Sequence, residues 1–159
     1  MSITGKLLWG EGLFLRPQHF QQQDRYHEQR LHDSVKALHP YAWGVGQLQL
    51  DRDALHNNTL RLLDLGLVFQ DGEIYNAPGA DELPPEIDLS NIPQSQQALT
   101  FYAALPAFKH FGGNFAPDNQ PSNAARYAQN NLDTPDLFTQ AAHAQLTYLK
   151  KTLRLVSEA

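Results

Sequence analysis

Two prolines, Pro17 and Pro40, bracket the stretch that most restricts how this chain can fold. Proline at the first helical position arrives with φ already near the helical value and gives up only an amide that would have been unpaired there. Pro40 turns His39 away from the α region, which stops the helix by Leu38. The spacing therefore predicts one helix over residues 17–38, about 22 residues and roughly 33 Å long at 1.5 Å per residue. Phe20, His27, Leu31, Val35 and Leu38 recur near helical spacing, while Gln21, Gln22, Gln23, Asp24, Arg25 and Glu28 cover the rest. A stripe that narrow can bury one face only. Two readings stay open. The helix is a surface element packed on a sheet, or the glutamines and the turn-rich arm Trp9 to Phe14 form a contact surface for another chain, because Trp, Phe, Tyr and Arg are the types enriched in protein interfaces.

After Pro40 the period changes. Residues 43–50 alternate, with Leu48 and Leu50 opposite Gln47 and Gln49, which is the pattern of a half-buried strand. A more apolar strand over residues 60–69 meets Asp71-Gly72, a pair that favours a type I′ hairpin, and Glu73 to Tyr75 return antiparallel. Residues 76–97 hold Pro78, Pro84, Pro85 and Pro93 and read as an ordered loop pegged by Leu83, Ile87, Leu89 and Ile92. Residues 98–105 alternate again, with Leu99, Phe101, Ala103 and Leu105 inward. Residues 109–123, rich in Gly and Pro, read as a mobile loop. Residues 131–138 fit a short strand or a turn, and residues 145–156 a strand or a helix. Short alternating strands with turn signals and one early helix predict a mainly β chain, a β-sandwich with one long N-terminal α-helix laid against it.

Composition removes several function classes. A length of 159 residues suits one domain, and a net charge of −5 leaves no excess of Lys or Arg to neutralise phosphates, so nucleic acid is not an expected partner. With no cysteine there is no basis for disulfides or thiolate chemistry. No stretch approaches the ~20 apolar residues of a membrane span, and no signal pattern opens the chain, so a cytoplasmic protein is expected. Seven histidines raise the question of metal. Glu28 and His32 stand one helical turn apart, but no H-E-x-x-H pattern or third ligand follows, and neither metal nor cofactor is expected. The acidic residues Asp81, Glu82, Glu86 and Asp88 read as a solvated loop, and no nucleophile motif is present, so no enzyme is expected.

The unbroken run Glu11-Gly12-Leu13-Phe14-Leu15-Arg16-Pro17-Gln18-His19-Phe20-Gln21-Gln22-Gln23-Asp24 resembles the N-terminal signature of the TssK (ImpJ/VasE) family, the baseplate subunits of bacterial type VI secretion systems. Asp71-Gly72, Leu83-Pro84, Gly112-Gly113-Asn114, Arg126-Tyr127 and Leu153-Arg154-Leu155 follow in the family's order. Leu13 stands where methionine is more usual, and Ala128 to Asn131 are less acidic than is typical. The resemblance implies a β-sandwich similar to the shoulder domain of siphophage receptor-binding proteins, with residues 1–159 as a single N-terminal domain, arm 1–16 included. A helical bundle and a C-terminal domain belong to the full-length family. It also implies a trimer whose N-terminal domain grips the wedge subunits TssF and TssG while the C-terminal domain reaches the membrane complex.

The candidate partner-binding residues are Trp9, Glu11, Phe14, Leu15, Arg16, Gln18, His19, Phe20, Gln22, Gln23 and Tyr26. His19 is expected to cap the helix or to donate a hydrogen bond at an interface. The expected function is that of a structural adaptor. The alternative is a carbohydrate- or small-ligand-binding sandwich, for which Trp9 and Trp43 are the only tryptophans on offer.

Overall fold

A computed structural model of the chain describes residues 4–92, 98–117, 122–139 and 142–158. It is mainly β with one long helix. Helix α1 runs Pro17–Leu38, the span that the two prolines predict. It is followed by β1 (Gly44–Leu50), a short α2 (Arg52–His56), β2 (Thr59–Leu60), β3 (Leu62–Val68), β4 (Ile74–Ala77) and β5 (Ile87–Asp88). The order closes with β6 (Phe101–Ala104), β7 (Tyr127–Thr134), β8 (Ala144–Lys151) and β9 (Arg154–Ser157). Strand β3 lies between β1 and β4 in a three-stranded sheet, and β2–β5, β6–β9 and β7–β8 form two-stranded ones.

The chain divides into two compact units, one of residues 1–47 and 66–75, the other of residues 48–65 and 76–159. In the second unit Leu60, Leu62, Leu65, Ala77 and Leu153 are buried together with Ala54, Ala116 and Ala125. The β6–β9 pair sets Tyr102 opposite Val156 and Ala103 opposite Leu155. Leu99, Phe101, Ala103 and Leu105 are half-buried while Thr100 and Tyr102 are exposed, so the inward alternation read for that strand holds. The β7–β8 ladder runs from Tyr127 opposite Lys151 to Thr134 opposite Ala144. Lys151 is tied back to Asp81 at 3.1 Å, and Lys150 pairs with Glu82.

Several expectations change. The hairpin at Asp71-Gly72 exists, but its turn is not type I′. Phe69 N donates to Glu73 O at 2.8 Å and Gly72 N to Phe69 O at 3.0 Å, and Gly72 has φ +87° while Asp71 is not left-handed. Type I′ needs positive φ at both central residues. Here a tight turn over Phe69–Gly72 closes through a single left-handed glycine. Residues 144–157 are strands, the first of the two readings for residues 145–156, broken at Thr152 and Leu153. Residues 131–134 end β7, and residues 137–139 form a bend in which Asp136 accepts from Phe138 N at 2.8 Å and Thr139 N at 2.9 Å. The 76–97 loop contributes β5, although residues 93–97 lie outside the described part.

In the 109–123 loop, Asn114 accepts from Lys109 N at 2.7 Å and donates to Lys109 O at 2.8 Å. That part is a turn closed by the Asn114 side chain. Residues 118–121 of the same loop lie outside the described part. Helix α2 was not foreseen. Its start is made by Asp51, whose carboxylate accepts from Asp53 N and Ala54 N, both at 3.0 Å, as an N-cap should.

Candidate protein-docking surface

The arm reaches the helix through a turn and a cap. Leu13 N donates to Gly10 O at 3.4 Å, and Gly12 at φ +77° supplies the left-handed position that a side chain would strain. Arg16 then holds an extended backbone at φ −130°. Its amide donates to Nδ1 of His19 at 3.0 Å, while His19 N donates to Arg16 O at 3.0 Å. A guanidinium cannot accept, so the reciprocal half of this cap comes from the Arg16 carbonyl. His19 caps the helix as expected, but its ring nitrogen acts there as an acceptor. The Trp9 ring lies 6.0 Å from that of His19, tilted by 40°.

The helix faces are arranged the opposite way from an ordinary surface helix. At 3.6 residues per turn, Phe20, His27, Leu31, Val35 and Leu38 share one side, and every one of them is exposed. Phe20 keeps 53%, Leu31 65% and Leu38 77% of its surface open. The half-buried residues are Gln22, Arg25, Tyr26 and Gln29 on the other side, with His19, Gln23 and His32 flanking them. No residue of α1 is fully buried. Packing of the apolar stripe on a sheet is thereby overturned: the shaded side is the polar one.

That polar side is knitted within the helix itself. Arg25 donates to Gln29 Oε1 at 3.3 Å, and Gln29 Nε2 donates to Asp33 at 2.8 Å. Arg25 also faces Glu28 at 3.6 Å, and the Arg30 guanidinium lies 5.8 Å from the centre of the Tyr26 ring. Pairs three and four residues apart each add a few tenths of a kcal/mol to a helix, on the order of 0.2–0.5. This network supports the 22-residue helix alongside the packing of its half-buried side.

The candidate residues fall into two groups. Trp9, Glu11, Phe14, Leu15, Arg16, Gln18 and Phe20 are exposed, whereas His19, Gln22, Gln23 and Tyr26 are half-buried. The glutamines therefore do not share the open face with Phe20. Sequence reasoning stopped at Tyr26, yet the open apolar face continues through Leu31 and Val35 to Leu38. The signal was present in their spacing. All seven residues of strand β1 are exposed, against the half-burial read from its alternation. It lies at the edge of its sheet, beside β3 alone.

Among the described residues no three His, Asp or Glu stand close enough together to hold a metal ion. No helix there is long and apolar enough to cross a membrane.

The sequence model of a family of bacterial type VI secretion proteins that includes EvfL, ImpJ and VasE matches residues 19–159. The chain belongs to this family. The ImpJ/VasE match opens at His19, within the run that carries the resemblance. The chain is 32% identical over 127 residues to the type VI secretion system baseplate component TssK1 of Pseudomonas aeruginosa, covering 80% of this chain and 28% of that protein. A TssK–TssF–TssG baseplate subcomplex solved by cryo-electron microscopy contains a chain similar to it at TM-score 0.86 and 29% identity, over 98% of this chain and 51% of that one. A crystal structure of TssK is similar at TM-score 0.81 and 28% identity, over 98% of this chain and 35% of that one. This ImpJ/VasE chain thus spans about half or less of the relatives it matches.

Proposed function

We propose that this chain is a structural adaptor of the type VI secretion baseplate, a protein whose work is done by its surface and not by catalysis. In this reading the arm and the open side of α1 dock the wedge subunits TssF and TssG. Residues 1–159 serve as the N-terminal domain of a longer, trimeric, cytoplasmic protein whose remaining domains reach the membrane complex.

The observation that carries the reading is the inverted helix. Phe20, Leu31, Val35 and Leu38 point to solvent while the glutamine side is shaded. Covering a large apolar side chain is worth about 1.5–3 kcal/mol when burial is complete, so an exposed row at helical spacing has a strong gain available from a partner and none from solvent. An apolar helix face laid in a groove is a recurrent mode of protein recognition. The similarity to a chain within a TssK–TssF–TssG subcomplex supports the same partners.

The test is co-purification of the full-length protein with TssF and TssG. Leu31→Glu places a charge in the middle of the open row, at a position 65% exposed. Loss of the wedge subunits from this variant, with its melting temperature unchanged, is the expected result. Retention of both would defeat the proposal.

A further inference from the structure

The cavity at the C-terminal end of α1 has a chemistry different from the open stripe beside it. It measures about 210 Å³ and is walled by His32, Lys36 and His39 from one side of the helix, with Trp43 and Phe69 among its apolar residues. Positions 32, 36 and 39 are spaced four and three apart, so all three basic groups share a face. No aspartate or glutamate lines the cavity. Among the described residues none of the three basic side chains takes part in an ion pair. The hollow thus sets one lysine ammonium beside two imidazoles with no carboxylate among its lining residues.

We propose that this cavity takes an aspartate or glutamate side chain, flanked by an apolar residue, from the protein docked on the α1 stripe. The proposal rests on the docking reading above and adds to it the chemistry of one anchor. The hollow is open on one side and wide enough to admit one side chain. A free inorganic anion would leave Trp43 and Phe69 uncovered, whereas a carboxylate on a carbon stem satisfies both the ring walls and the ammonium group. Charge-assisted hydrogen bonds are the stronger kind, and partial enclosure lowers the screening around them. Val35 belongs both to the stripe and to the cavity wall, so a segment lying along the stripe runs directly into the hollow.

The test uses the full-length protein and the TssF–TssG complex. Carbodiimide joins a lysine to a carboxylate only when the two are in contact. In the assembled complex it should link Lys36 to an aspartate or glutamate of TssF or TssG, located by mass spectrometry. Lys36→Glu should raise Kd about tenfold or more, as expected for loss of a close charge pair at an interface, and Lys36→Met should raise it severalfold. Should Lys36→Glu melt early, Lys36→Met carries the same comparison.

Unchanged affinity in the charge variants, with Leu31→Glu still abolishing capture, overturns the anchor and leaves the docking reading standing. A link from Lys36 to a second copy of this chain also overturns it. Failure of the unsubstituted protein to capture the wedge subunits ends both.

Discussion

Gly72 and His32 are packed so closely that a β-carbon on Gly72 would lie 2.6 Å from Cγ of His32 and 2.9 Å from its Cβ. The hairpin turn and the helix thus meet where the turn has no room for a side chain. The same glycine sits at φ +87°, so two independent constraints select it. Gly72→Ala should destabilise the protein by about 1–3 kcal/mol from the backbone alone, with the collision added. Adding His32→Ala should recover the ring's share and leave the backbone cost together with the contact to the remaining Cβ. Thermal melts of the two single variants and the double one decide this; an unchanged Gly72→Ala melt would mean the turn is wrongly described.

Phe20→Ala distinguishes a core anchor from a docking residue. A core phenylalanine costs about 3–5 kcal/mol when cut to alanine. Because Phe20 is 53% exposed, the loss should instead be about 1 kcal/mol or less, while capture of TssF and TssG weakens. A large drop in melting temperature would put Phe20 back in a core.

Arg126 is 3% exposed, the one charged residue among the buried positions described. Its Nη1 donates to the Pro106 carbonyl at 2.9 Å, and its guanidinium lies 5.9 Å from the Tyr127 ring centre. Arg126→Met keeps much of the volume and removes the donors, and should cost about 1–3 kcal/mol. Lysine should not restore it, since the planar fork is what reaches the carbonyl and lies near the ring. Urea midpoints of the two variants check both statements.

The carboxylates of Asp88 and Asp136 are held below their ordinary value. For Asp88 the cause is the Ser90 hydroxyl and then the Ser90 amide, and for Asp136 the amides of Phe138 and Thr139. A depressed folded value means that these bonds add stability above pH 3.8, the ordinary carboxylate value. That stability is lost as pH falls through the folded value. Both groups are exposed, so the contribution is small. The melting temperature of Asp88→Asn should fall less steeply between neutral pH and pH 3 than that of the unsubstituted protein; identical slopes would remove Asp88 from the account.

Some of this molecule was legible in local chemistry. Proline sterics at residues 17 and 40 determine where α1 begins and ends, and Asp71-Gly72 identifies a hairpin whatever its turn type, because both effects act within a few residues along the backbone. The polar strand β7 was not legible. Ala128, Gln129, Asn130 and Asn131 have poor strand preference, and they are extended because they pair with β8, where Thr147 also donates to Asn131 at 2.7 Å. Helix α2 was missed because five residues carry too little periodicity to register.

The family is written in the run from Glu11 to Asp24 and needs no coordinates. Which side of α1 faces outward is a different kind of fact. Periodicity shows that Phe20, Leu31, Val35 and Leu38 form a row, but a row of apolar residues has the same spacing whether its own chain or another covers it. Only the tertiary structure decides between the two, because burial is a relation between surfaces far apart in sequence.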